Sequence, residues 1–137
     1  MPPLPRGRQS DGMKIFLVEN SPHLVKRLSE MLSALPGVVV AGHAAGAKRA
    51  IEEIVKLRPQ VVLLDIELDQ GTGLDVLFAL REQAPEIDVY MVTNHDLPAL
   101  RGLAAKLGAK GYYDKTRDLQ ALRDLISRRA SGTSSES

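Results

Sequence analysis

Val61-Val62-Leu63-Leu64 runs directly into Asp65, and this stretch limits the fold more than any other in the chain. Four aliphatic residues without a polar interruption cannot alternate a dry face with a wet one. Such a run, bounded by polar and glycine-rich residues, predicts a strand buried on both faces, as in parallel sheets. Asp65 then stands where the strand leaves the sheet. In open α/β sheets, ligands and chemistry collect outside the carboxyl ends of the strands. Position alone makes Asp65 a candidate reactive carboxylate. An aspartate at such a point can also do no more than hydrogen-bond its own loop, so the other strand ends decide.

Lys14-Ile15-Phe16-Leu17-Val18 predicts another strand, ending in Glu19-Asn20. Ser21-Pro22 supplies an N-cap and a proline at the first helical position. Leu24, Leu28, Met31, Leu32 and Leu35 then follow at helical spacing, until Pro36-Gly37 stops the helix. Val38 to Gly42 predicts a short strand. Ala47 to Leu57 predicts a helix with Ala50, Ile51, Ile54 and Val55 inward, ended by Arg58-Pro59. Leu74, Leu77, Phe78 and Arg81 mark a third helix, closed by Ala84-Pro85. Val89 to Thr93 predicts a strand. Leu100, Leu103, Ala104 and Leu107 mark a helix with Gly108 as its C-cap. Gly111-Tyr112-Tyr113 predicts a short strand leading into Asp114-Lys115, and Leu119, Leu122, Leu125 and Ile126 form the inward face of a last helix. Five strands alternate with five helices, and each crossover is long enough for a right-handed βαβ unit. The expected fold is a three-layer α/β sandwich with a parallel sheet between helical layers.

The 137 residues suit one domain, expected over 13–129. Residues 1–12, rich in Pro, Gly and Arg, and the polar tail 130–137 are expected to be disordered. A formal net charge of +1 with no basic stripe argues against direct nucleic-acid binding. The chain has no cysteine, which removes disulfides and thiol chemistry. No apolar run approaches the roughly 20 residues of a membrane span, and the proline-rich start lacks the apolar core of a secretory signal. A cytoplasmic location is therefore expected. After Arg129 the sequence holds only a short polar stretch and no DNA-binding module, and this serine-rich stretch fits either a true end or a linker within a longer regulator.

The strand ends carry Glu19 and Asn20, Asp65, Thr93 and Lys115. If the sheet is doubly wound in the order 2-1-3-4-5, the first and third strands are neighbours at the switch point. Glu19, Asn20 and Asp65 then meet in one crevice, flanked by Thr93 and Lys115. Grouped oxygen ligands suit Mg²⁺. A carboxylate beside that ion can attack a phosphoryl group, with an ammonium and a hydroxyl offsetting charge on the phosphoryl oxygens.

Over about residues 14–129 the chain resembles the receiver domains of two-component response regulators (CheY-like). The resemblance rests on an acidic-type pair after strand one, Asp65 after the apolar strand three and Gly73 eight positions later. Thr93 after strand four, and Tyr112 followed by Lys115, complete it. The strand order 2-1-3-4-5 and the flavodoxin-like fold are carried over from that family. The resemblance implies that Asp65 is the phosphoacceptor, that Glu19, Asn20, Asp65 and the backbone carbonyl of Glu67 hold Mg²⁺, and that Thr93 and Lys115 contact the phosphoryl group. It further implies that Tyr112 turns inward when Thr93 moves. It implies a phosphodonor that is a histidine kinase or histidine phosphotransfer protein. The output surface would lie over residues 97–129, meeting a downstream protein or a second copy in a phosphorylation-dependent homodimer. Such a chain is a signalling domain rather than a classical enzyme, with Mg²⁺-dependent self-phosphorylation and autodephosphorylation.

Three features depart from the family pattern. Asn20 stands where the family usually has Asp, which removes one negative charge from the metal site and predicts weaker Mg²⁺ binding. Leu68-Asp69 replaces a common Met-Pro, and Thr116 replaces the proline that usually follows the lysine. Asn20 also motivates the alternative of a degenerate receiver that binds a partner without phosphorylation. The side chain of Glu67 alone would read as a solvated loop charge, and His23, His43 and His95 as scattered surface or loop histidines.

Overall fold

A computed structural model describes residues 12–132. The chain runs β1 (Met13–Val18), α1 (Pro22–Ser33), β2 (Val38–Ala44), α2 (Ala47–Leu57), β3 (Val61–Leu64), α3 (Gly73–Gln83), β4 (Asp88–Thr93), α4 (Pro98–Lys106), β5 (Gly111–Asp114) and α5 (Leu119–Ser131). The five strands form one sheet in the order β2-β1-β3-β4-β5, and every neighbouring pair is parallel. This is the three-layer, doubly wound arrangement expected from the sequence.

Strand alternation sorts the core into two layers, because successive side chains point to opposite faces. Ile15 and Leu17 of β1, Val61 and Leu63 of β3, and Tyr90 and Val92 of β4 pack against α1 and α5. Phe16 and Val18, Val62 and Leu64, and Val89 and Met91 pack against α2, α3 and Ala104 of α4. All four residues of β3 are buried, which accounts for the unbroken apolar run. The register is tightly determined, since a slip of one residue would exchange the two faces. It pairs Val18 with Leu64, Leu64 with Met91, and Thr93 with Asp114, so the strands leave the sheet side by side.

Local chemistry sets the helix ends. Ser21 Oγ accepts a hydrogen bond from the Leu24 amide ahead of Pro22. Thr72 and Asp75 exchange reciprocal side-chain bonds at the start of α3. Arg58, expected to leave helical angles before Pro59, adopts φ 51 and donates its amide to the Ile54 carbonyl.

Some faces differ from expectation. Phe78 is 54% exposed, whereas Val76, Leu77 and Leu80 are buried. At 100° per residue, the arc centred on these three leaves Phe78 outside the stripe. Leu103 is likewise exposed, and only Ala104 of α4 is fully buried. The last helix continues through Ser131, past the expected boundary at 129, with Ala130 packed on the α1/α5 core. The expected disorder of residues 1–11 and 133–137 concerns positions outside the described residues. Among the described residues, no helix is long and apolar enough to cross a membrane.

Candidate functional site

The candidate residues are aligned by backbone bonds that extend the sheet past its strands. The Glu19 amide donates to the Ala44 carbonyl at 3.0 Å, the Asp65 amide to Val18 at 2.9 Å, and the Lys115 amide to Thr93 at 3.2 Å. Each candidate residue is thus fixed to the strand beside its own. Their side chains converge at the switch between β1 and β3, with β4 and β5 at the flank.

Lys115 reaches across from β5 to both carboxylates. Its Nζ lies 2.8 Å from Asp65 Oδ2, and 3.2 and 3.3 Å from the two oxygens of Glu19. The Glu19 and Asp65 side chains are 3% and 2% exposed, and that of Lys115 16%. The Ile66 amide donates to Asp65 Oδ1 at 2.7 Å, and the Ser21 amide to Glu19 Oε2 at 3.0 Å. Two buried carboxylates against one ammonium leave a surplus negative charge. Burial, and then the charge of Asp65, push the Glu19 carboxyl above the usual carboxylate range; the Ser21 amide and Lys115 only partly oppose this. Burial pulls the Lys115 ammonium down, but Asp65 and Glu19 outweigh it and raise it.

The same strand ends bring in the other expected residues. Thr93 is fully buried, and its Oγ1 accepts a hydrogen bond from the His95 amide at 3.3 Å. Tyr112 is half-buried, and its hydroxyl donates to the His95 carbonyl. The Arg101 guanidinium lies 4.6 Å from the centre of the Tyr112 ring. Thr93 and Tyr112 are therefore joined through one residue. Asn20 is exposed beside Glu19. Glu67 lies in the β3–α3 loop, which an antiparallel bridge from Glu67 to Thr72 closes.

Gly73 fixes the other wall of the site. A Cβ on this residue would lie 2.0 Å from the Asp65 carbonyl oxygen and 2.9 Å from Ile66 Cα. Its amide donates to the Ile66 carbonyl at 2.7 Å. Only a residue without a side chain lets α3 begin this close to the Asp65 peptide.

The oxygen donors and the surplus negative charge fit a hard dication. Glu19 and Asp65 would supply carboxylates, Asn20 an amide oxygen and Glu67 a carbonyl. Among the described residues, no three His, Cys, Asp or Glu side chains group closely enough to hold a metal by themselves. The fit therefore depends on neutral oxygens, as Asn20 in place of Asp would require.

Two features escape sequence reasoning. His95 Nε2 pairs with Glu67 Oε1 at 3.2 Å across the β3–α3 and β4–α4 loops, so neither side chain is merely solvated. Asp96 holds Arg101 at 2.9 Å and Arg117 at 3.2 Å, tying the start of α4 to the β5–α5 loop. These partners are 21 to 28 positions apart or separated by a helix turn, and no local spacing announces them.

The family profile described as response regulator receiver domain matches residues 15–127. The chain is 31% identical over 120 residues to the nitrate/nitrite response regulator protein NarL of Escherichia coli (strain K12), covering 86% of this chain and 55% of that protein. The chain thus spans about half the length of curated relatives it matches. The solved response regulator domain of Thermotoga maritima CheB is similar with a TM-score of 0.79 at 22% identity, covering 87% of this chain and 96% of that one. CheY in the CheX–CheY–BeF3–Mg²⁺ complex from Borrelia burgdorferi is similar with a TM-score of 0.74 at 21% identity, covering 83% and 89%. At those identities the two structures bear on the fold alone, and it is the one seen here. With a family profile matched across nearly the whole described chain, on the expected topology, the chain belongs to the response regulator receiver domain family of two-component systems.

Proposed function

We propose that Asp65 accepts a phosphoryl group from a phosphohistidine on a histidine kinase or histidine phosphotransfer protein. An Asp65 carboxylate oxygen attacks phosphorus, the bond from phosphorus to the imidazole nitrogen breaks, and an aspartyl phosphate forms. The observation that carries this reading is the Lys115 ammonium, 2.8 Å from Asp65 Oδ2 in a buried pocket at the C-terminal end of the sheet. Lys115 pairs with the Asp65 carboxylate in the resting site and then with the phosphoryl oxygens. Mg²⁺, when bound, supplies further neutralisation of the phosphoryl charge. Glu19, Asn20, Asp65 and the Glu67 carbonyl would hold it, and the buried carboxylates of Glu19 and Asp65 with one ammonium between them support the assignment.

The phosphoryl group also needs a hydroxyl partner, and Thr93 is the buried hydroxyl at the end of β4. Drawing Thr93 toward Asp65 pulls on the His95 amide, and the His95 carbonyl is held by Tyr112. Thr93 and Tyr112 thereby couple the site to residues 97–129, a surface for a downstream protein or a second copy of the chain. The cytoplasm supplies such donors, and the chain acts there as a signalling domain rather than a substrate-turning enzyme. Incubation with a small phosphodonor and Mg²⁺ should add the mass of one phosphoryl group to the wild type and none to Asp65→Asn. Addition to both proteins would refute Asp65 as the acceptor.

Asn20 favours a second reading, a receiver that binds its partner without phosphorylation, because a neutral amide stands at the metal position. That reading predicts unchanged partner binding by Asp65→Ala. Under either reading, the missing charge predicts that Asn20→Asp binds Mg²⁺ more tightly, by about tenfold for one added charge. Equal affinities in a Mg²⁺ titration would show that the amide is no handicap.

A further inference from the structure

Lys115 must be presented to two carboxylates from a loop in which Thr116 follows it, and that loop has an organiser of its own. Asp114, the last residue of β5, turns its carboxylate forward into the β5–α5 turn. Its Oδ1 accepts the Thr116 amide at 2.8 Å, the Thr116 hydroxyl at 2.7 Å and the Arg117 amide at 2.9 Å. Asp118, the N-cap residue of α5, sends its Oδ2 back to the Asp114 amide at 2.9 Å instead of capping the helix. Its own amide donates to the Asp114 carbonyl at 2.9 Å. Residues 114–118 are thus closed by side chains at both ends. Two side chains leave this clamp: that of Arg117 toward Asp96, and that of Lys115 toward Asp65 and Glu19.

We propose that Asp114 is a positioning residue for Lys115: its carboxylate fixes the turn that aims the ammonium at Asp65. The assignment rests on the phosphoacceptor reading for its consequence, but the clamp can be tested without it. The three donors on one oxygen do for this turn what backbone rigidity would otherwise do. They restrict residues 116 and 117 together, and with them the direction in which the preceding side chain departs. The hydrogen bonds from Thr116 and Arg117 also hold the Asp114 carboxyl down at about 2, so the acceptor stays ionised. Within the turn, the side chain bonded to Asp65 and Glu19 is that of Lys115, so loss of the clamp reaches the two carboxylates through that group.

Two arms test the proposal on the intact chain. The first measures acylation of Lys115 by an amine-reactive ester, read by peptide mass and normalised to Lys56, an exposed lysine on α2. Lys115 is shielded by its two ion pairs. Asp114→Ala should raise its relative acylation by about fivefold or more, while Asp114→Asn, which keeps the acceptor oxygen, should stay near wild type. The second arm measures phosphorylation by acetyl phosphate with saturating Mg²⁺. Asp114→Ala should lower the maximal rate by about tenfold, the scale of a misplaced catalytic group, with little change in half-saturating donor and with rescue by Asp114→Asn. Unchanged relative acylation in Asp114→Ala overturns the proposal, as does a wild-type phosphorylation rate in that variant. If wild type itself takes no phosphoryl group, the phosphoacceptor reading fails, and the acylation arm alone still decides whether Asp114 positions Lys115.

Discussion

Gly73 sets the tightest constraint on any single position near the site. The absent side chain lets the first turn of α3 press against the Asp65 peptide, where a Cβ would stand 2.0 Å from a carbonyl oxygen. Backbone cannot yield as a flexible side chain can. Gly73→Ala should therefore destabilise the domain by about 3 kcal/mol, the upper range for overpacking, as measured by urea unfolding. A change below about 0.5 kcal/mol would mean that the loop can retreat. Lys115 is constrained differently. Removing it would leave Glu19 and Asp65 buried together without a cation, a loss of about 3–5 kcal/mol on the usual scale for a broken buried pair. The candidate residues Glu19, Asp65, Thr93 and Lys115 were legible in the sequence because each follows an apolar run. The partners of Asp114 lie two to four positions away, in a pattern common to many turns, so nothing in the sequence tied them to Lys115.

Among the elements, α4 stands apart. The other four helices each bury three or four residues; α4 buries Ala104 alone. Its N-cap Leu97 offers no side-chain bond, and Gly102 sits in its middle with open space around it. A helical glycine costs about 1 kcal/mol relative to alanine. The Asp96 ion pairs with Arg101 and Arg117 are exposed and add little. Helix α4 thus belongs to the low-stability end of the molecule, where moving parts are drawn from. Its amides should exchange with solvent faster than those of α2 and α3 by native-state hydrogen exchange, and equal protection would contradict this. Phosphorylation should then shift the amide spectrum over residues 97–129. Sequence periodicity found α4, since Leu100, Ala104 and Leu107 repeat at helical spacing. It could not reveal how shallowly the helix docks, because Leu103 obeys the same spacing and lies exposed. Phe78 misled for a similar reason. Its neighbours Val76, Leu77 and Leu80 fill the inward arc, and an apolar residue one step beyond that arc looks the same in the sequence.

At the scale of the whole molecule, the order β2-β1-β3-β4-β5 does the assembling. Residues 46 and 50 positions apart, Glu19 with Asp65 and Asp65 with Lys115, come within reach of one ammonium only because β1 and β3 are neighbours at the switch point. The alternation of strands and helices was plain from the sequence; the strand order was not, and came from the family resemblance. Lys115 and the Ile66 amide both hold Asp65, the carboxylate at which the proposed chemistry takes place. Borohydride reduces an aspartyl phosphate to homoserine and leaves a free aspartate untouched. The direct measurement is peptide mass mapping after phosphodonor, Mg²⁺ and borohydride treatment. Conversion at Asp65 and at no other carboxylate is the predicted result. An unmodified Asp65 in a folded, Mg²⁺-saturated protein, or conversion at another position, would contradict the account.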